Sequence, residues 1–114
     1  MRRHPPDSLA EFELLVMLAA LRLGPEQAYT VTIAEDIARR TRRRVRRANV
    51  FTTLQRLESK GLVATHLGEP RAERGGRPPR LVKVVPAGVR AVRATTHALA
   101  SMMGDLSELL GEAR

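Results

Sequence analysis

The chain has 114 residues, with 20 Lys+Arg against 12 Asp+Glu, a formal net charge of +8 and a pI near 11.5. That is about one domain's worth of chain, which argues against an enzyme with separate cofactor and substrate halves, and its charge points to a polyanionic partner. With no cysteine, disulfides, thiolate metal sites and cysteine nucleophiles are excluded.

Other features narrow the class further. His4, His66 and His97 are too far apart in sequence to pair as ligands along a helix, so neither a metal nor another cofactor is expected. A hydrophobic fraction of 43% is too high for a purely disordered basic tail. The longest apolar run, Leu14 to Leu21, falls well short of the roughly 20 residues a membrane span needs. No signal-peptide pattern is present, so a cytoplasmic protein without a membrane partner is expected. The basic charge is concentrated: residues 39–47 hold seven arginines and no acid, leaving the other 105 residues a net +1. Eighteen of the 20 basic residues are arginine, a bias that a GC-rich coding sequence explains equally well.

Residues 1–7 read as a short flexible arm. Ser8-Leu9-Ala10-Glu11 has the form of a capping box, predicting a helix that runs through Leu14, Leu18 and Leu21 to Gly24-Pro25. From Leu14 onward that helix is apolar on nearly every face, which calls for cover on both sides, the second from another subunit. Thr32-Ile33-Ala34-Glu35 is a second capping box, opening a helix that ends near Arg40-Thr41. After the arginine run, Val50, Leu54 and Leu57 at i, i+4, i+7 predict a third helix, closed by Lys60-Gly61. Its opposite face carries Asn49, Thr52, Thr53 and Arg56.

Leu62–Leu67 and Arg80–Val85 then read as two strands of a hairpin, joined by a Gly/Pro/Arg-rich tip from Gly68 to Pro79. From Pro86 to Leu110 the helical period returns. Val85, Val89, Val92, Thr96, Leu99, Met103, Leu106 and Leu110 form a heptad-like seam that predicts a homodimer, with Leu14 and Leu18 of the first helix adding to the interface. The alternative is a helix packed on its own domain's core.

This order of elements describes a mainly α fold with a small β-hairpin: a winged helix-turn-helix over residues 8–86, followed by a dimerisation helix over 87–114. In such a fold the third helix enters the DNA major groove and the hairpin tip lies along the backbone or minor groove. Arg42, Arg43, Arg44, Arg46, Arg47, Asn49, Thr52, Thr53 and Arg56 are then the candidate contacts to double-stranded DNA. Arginine bridges guanine O6/N7 and asparagine adenine N6/N7, whereas most protein contacts to DNA fix register on phosphates. Arg39, Arg40, Arg42, Arg43 and Arg44 are expected on phosphates or in solvent. On the wing the candidates are Arg74, Gly75, Gly76, Arg77 and Arg80. Neither G-x-x-x-x-G-K-[ST] nor G-x-G-x-x-G occurs, so the Gly-Gly pair does not point to a nucleotide enzyme. No nucleophile–base pair, carboxylate pair or metal cluster is placed by a motif, and no enzymatic activity is expected.

Glu11 to Leu21 resembles the first helix of the PadR family of bacterial transcriptional regulators. Ala28-Tyr29 resembles that family's Ala-Tyr-Gly, Asn49 to Val63 its recognition helix running into the wing, and Arg74 to Arg77 with Pro86-Ala87-Gly88 its wing and last helix. The match spans roughly residues 8–95, and the single helix after the wing fits the short branch. The resemblance implies a homodimer on a palindromic operator, repressing a neighbouring gene, with derepression by a small-molecule effector in the characterised branches. Three positions depart from the family: Thr30 and Ala48 stand where glycine is usual, and Phe51 replaces a tyrosine whose hydroxyl would be available to a phosphate. Phe12, Met102 and Met103 are candidates for an effector pocket, but are explained at least as well as core or seam residues. The remaining alternative is a nonspecific nucleic-acid binder, of RNA or of the nucleoid, on the same winged helix, for which the arginine run would supply affinity without specificity.

Overall fold

A computed structural model describes residues 9–70, 72, 75–106 and 108–111. Four helices and one hairpin follow in the order α1 (Glu11–Leu23), α2 (Thr30–Thr41), α3 (Arg47–Ser59), β1 (Val63–Leu67), β2 (Arg80–Val84) and α4 (Pro86–Met103). The arm, Ser8 and Arg74 lie outside the described residues.

Both capping boxes are shifted from the expected register. In α1 the N-cap is Ala10, whose N–H donates to the Glu13 carboxylate at 3.0 Å, so Glu13 and not Glu11 closes the first turn. In α2 the N-cap is Tyr29, and Thr32 sits inside the helix rather than ahead of it. The Thr32 hydroxyl accepts from the Tyr29 N–H at 3.0 Å and donates to the Gln27 carbonyl at 2.7 Å, which ties the first turn of α2 to the preceding loop.

The core forms where α1, α2 and α3 meet the hairpin and the start of α4. Met17, Ile33, Leu57, Val16, Val50 and Val82 are among its largest fully buried side chains. The expectation that α1 needs a second subunit for cover is largely corrected: Leu14, Val16, Met17, Ala19 and Ala20 are buried by the chain's own elements. Leu18 is half-buried and Leu21 exposed. Gly88 permits the tight packing of α4. A Cβ there would collide with the Leu62 carbonyl and approach Val84 Cγ1 to 2.8 Å and Met17 Cε to 2.9 Å.

The hairpin is antiparallel, with Val63 opposite Val84 and Leu67 opposite Arg80. The Val82 N–H donates to the Ala28 carbonyl at 2.8 Å, so the loop before α2 is stitched to the hairpin's outer edge. At the tip, Gly75 and Gly76 both adopt positive φ, 67° and 84°, a conformation that side chains with a Cβ rarely take.

The heptad seam is not continuous. Helix α4 ends at Met103, where Gly104 breaks it, and Leu106 and Leu110 lie in successive turns beyond. Leu9 N–H meets the Thr95 hydroxyl at 3.3 Å while Gly88 packs on Met17, so α4 runs back past the N-terminal end of α1. Val92 is buried in the chain's own core and Val89 half-buried, whereas Leu99, Met102, Met103, Leu106, Leu109 and Leu110 are exposed.

Candidate nucleic-acid interface

The turn between α2 and α3 is shaped by two residues within the arginine run. Arg42 takes the left-handed conformation (φ 58°, ψ 33°) and its N–H donates to the Ala38 carbonyl, which ends α2. Val45, the run's single apolar residue, packs against the core and pins the turn to the domain. The flanking arginines are thereby held out to solvent.

These arginines are not electrostatically equal. Arg39 and Arg40 both donate to Oδ1 of the buried Asp36, at 2.8 and 3.1 Å, and Oδ2 of Asp36 has no hydrogen-bond partner among the described residues. Arg43 pairs with Glu11 on the first turn of α1. Among the described residues Arg42, Arg44, Arg46 and Arg47 make no ion pair, and neither does Arg56 on α3. Exposed cations without a carboxylate partner are the ones ready for an external anion.

Between α1, the turn and α3 lies an open cleft of about 430 Å³. Its walls are Arg43, Arg44 and Arg46 on one side and Asn49, Thr52 and Arg56 on the other, with Phe12 and Val45 beneath. Thr53, expected on the exposed face, is only 4% exposed and reaches no further than the floor of this cleft.

Helix α3 turns about 100° per residue. Opposite the buried Val50, Leu54 and Leu57 therefore stand Ala48, Thr52, Gln55 and Ser59, all exposed. Asn49 and Arg56 lie on the flank toward the cleft, and Phe51 on the flank toward the hairpin. The sequence reading of a polar face over Asn49, Thr52, Thr53 and Arg56 was thus rotated toward the cleft. Ala48 and Gln55 were legible by counting from Val50, but one is apolar and small and neither is charged.

Glu13 anchors α1 to the end of α3. Its buried carboxylate accepts from Lys60 Nζ at 2.9 Å and from the Ala10 N–H. Burial alone would push the Glu13 pKa up, but the Lys60 hydrogen bond, the Ala10 N–H and the nearby positive charges of Lys60 and Arg56 outweigh it and hold the carboxyl below its ordinary value. On the wing, Arg80 is held at the root. Its guanidinium donates to the Thr65 hydroxyl at 3.0 Å, and that hydroxyl donates to Glu58 of α3 at 3.2 Å. Gly75, Gly76 and Arg77 are exposed at the tip. Among the described residues no group of three or more His, Asp or Glu is placed to hold a metal ion, and no helix is long and apolar enough to cross a membrane.

No family model matches the chain, and no curated protein does. Solved structures do. A PadR-family transcriptional regulator from Eggerthella lenta superposes with a TM-score of 0.66 at 24% identity, over 88% of this chain and 86% of that one. A PadR-like transcription factor from Bacteroides fragilis gives 0.59 at 22% identity, over 88% and 86%. The MepR protein of S. aureus, solved in complex with DNA, gives 0.58 at 18% identity, over 88% and 63%. The chain therefore has the winged-helix fold found in PadR-family regulators.

Proposed function

We propose that this chain is a DNA-binding transcriptional regulator that acts as a homodimer on a palindromic operator. The observation that carries the reading is the surface of α3: an exposed helix face whose cleft-side flank meets Arg44, Arg46 and Arg56, none of them held by an ion pair among the described residues. An exposed helix row flanked by these cations suits the major groove, which admits an α-helix. In this reading the turn arginines grip phosphates and the outward row of α3 meets base edges. The wing tip, with Gly75, Gly76 and Arg77 and with Arg74 beyond the described residues, lies along the adjacent backbone.

The exposed apolar end of α4 supports the dimer, which places two recognition helices on two half-sites. Repression of a neighbouring gene, relieved by a small-molecule effector, is the mode that the PadR likeness supports. A reporter fused to the adjacent promoter, with and without the chain, tests it. The central experiment compares binding to the DNA upstream of the chain's own gene with binding to random duplex of equal length, at about 150 mM salt. The upstream DNA is expected to win by at least roughly 10³. Equal affinities would instead support a nonspecific nucleic-acid binder of RNA or of the nucleoid, held by arginine–phosphate attraction.

A further inference from the structure

Phe51 is an aromatic side chain left 51% exposed in the middle of α3. It does not complete the core, whose α3 contributions are Val50, Leu54 and Leu57. Beside it is a recess of about 50 Å³, lined by Thr30, Leu54 and Val82 and at its polar rim by Gln55, Glu58, Thr65 and Arg80, room for a few water molecules. One turn further on, Gln55 is exposed and makes no hydrogen bond among the described residues. An apolar ring and a free carboxamide thus stand side by side at i, i+4 on the helix.

We propose that Phe51 and Gln55 read A·T pairs in the major groove, the Phe51 ring packing on the 5-methyl of a thymine and the Gln55 amide bridging N6 and N7 of an adenine. This inference rests on the reading of the chain as a sequence-specific DNA binder. The thymine methyl is the apolar group among the major-groove base edges, and glutamine matches adenine's donor and acceptor pair. A phenyl ring has no hydroxyl for a phosphate, so the backbone offers it nothing.

The spacing agrees. Four residues advance about 6 Å along a helix and base pairs stack about 3.4 Å apart. Phe51 and Gln55 therefore reach pairs within two steps of each other. Ala48, on the same exposed side one turn before Phe51, keeps the helix surface low, so the backbone approaches the bases closely. Arg80 and Glu58 line the recess beside Phe51 and Gln55, and Arg47 opens the helix one turn before Phe51. Arg44, Arg46 and Arg56 stand on the opposite, cleft-side flank, so the exposed helix carries a net positive charge that favours a polyanion over an apolar protein partner.

The test begins with selection of bound duplexes from a random library by the full chain. Each thymine of the selected site is then replaced singly by deoxyuridine, which removes only the methyl group. At least one replacement is expected to weaken wild-type binding about fourfold, the worth of one buried methyl. Phe51→Ala should bind the thymine and deoxyuridine duplexes equally, with Phe51→Leu retaining part of the difference. Gln55→Ala should lose about tenfold in its preference for adenine within two steps of that thymine. Wild-type indifference to deoxyuridine at every position, or unchanged sensitivity in Phe51→Ala, would overturn the proposal while leaving sequence-specific binding intact. A selection that returns no site would instead overturn the regulator reading, and this one with it.

Discussion

The guanidinium of Arg43 meets the carboxylate of Glu11 edge to edge, Nη1 to Oε2 at 3.2 Å and Nη2 to Oε1 at 3.3 Å. This is the two-point geometry with which arginine also grips a phosphate. One acid on the first turn of α1 thus occupies an arginine at the wall of the cleft. Both side chains are largely exposed, so the pair contributes little to stability. Glu11→Gln should leave the unfolding midpoint nearly unchanged. It should raise DNA affinity a few-fold at low salt and steepen the salt dependence, as fluorescence anisotropy over a salt series would record.

The other arginines divide by partner. Arg44→Ala and Arg46→Ala should each weaken binding to cognate and random duplex alike, flattening the slope of log K against log salt by up to about 0.9 per lost phosphate contact. The double variant Arg39→Ala, Arg40→Ala should behave differently. Its main effect is on folding, because it strips the buried Asp36 of both donors, and urea denaturation should show a loss of about 1–2 kcal/mol, moderated by the exposure of both arginines. A double variant as stable as wild type would remove Asp36 from the support of this turn.

Much of the fold was legible from periodicity. Val50, Leu54 and Leu57 placed α3, the short runs Leu62–Leu67 and Arg80–Val85 on either side of a Gly/Pro/Arg-rich stretch placed β1 and β2, and Gly61 marked the turn into the hairpin. The helix starts were less legible. A Ser/Thr-x-x-Glu pattern fits more than one register, and tertiary contacts chose between them: the Lys60 ammonium drew Glu13 into the cap of α1, and the Gln27 carbonyl drew Thr32 into the first turn of α2. The polarity pattern of α3 put Thr53 with the groove-facing residues, but its position beside the core row of Val50, Leu54 and Leu57 buries it. Charge pairing was the least legible property. Asp36 stands three and four residues before Arg39 and Arg40 on one helix, a spacing that counting along the chain offers but that the density of arginines masks, and only the fold brings Glu11 to Arg43.

Acid should expose the Glu13 anchor. Its folded pKa lies below its unfolded value, near 4.5, so its contribution to stability is complete above that value and is lost as pH falls through the lower folded one. Thermal denaturation from pH 7 down to pH 3 should therefore show a decline below about 4.5 that Glu13→Gln makes shallower. Lys60→Ala should cost about 1–2 kcal/mol at pH 7, since it leaves a buried carboxylate short of one donor, with the partial exposure of Lys60 moderating the loss. The loss should shrink toward pH 3 as the carboxyl becomes neutral. An equal loss at both pH values would show that Lys60 acts through packing rather than charge.

The far end of α4 gives the most direct test of assembly. Leu99 is 49% exposed and Met102 77%, on a helix end that runs past α1 and beyond the core. An isolated chain gains nothing from holding these side chains in water, whereas a second copy would cover them. Leu99→Asp should produce monomers by light scattering, with the circular dichroism of a folded chain, because this position takes no part in the monomer's core. Binding to a palindromic site should fall steeply, while binding to an isolated half-site should not. Val92→Asp is the contrasting control: Val92 is buried against the chain's own core, so that variant should lose the fold rather than only the dimer. A Leu99→Asp chain that remains dimeric would move the interface to the half-buried Leu18 and exposed Leu21 of α1, at the other end of the helix pair.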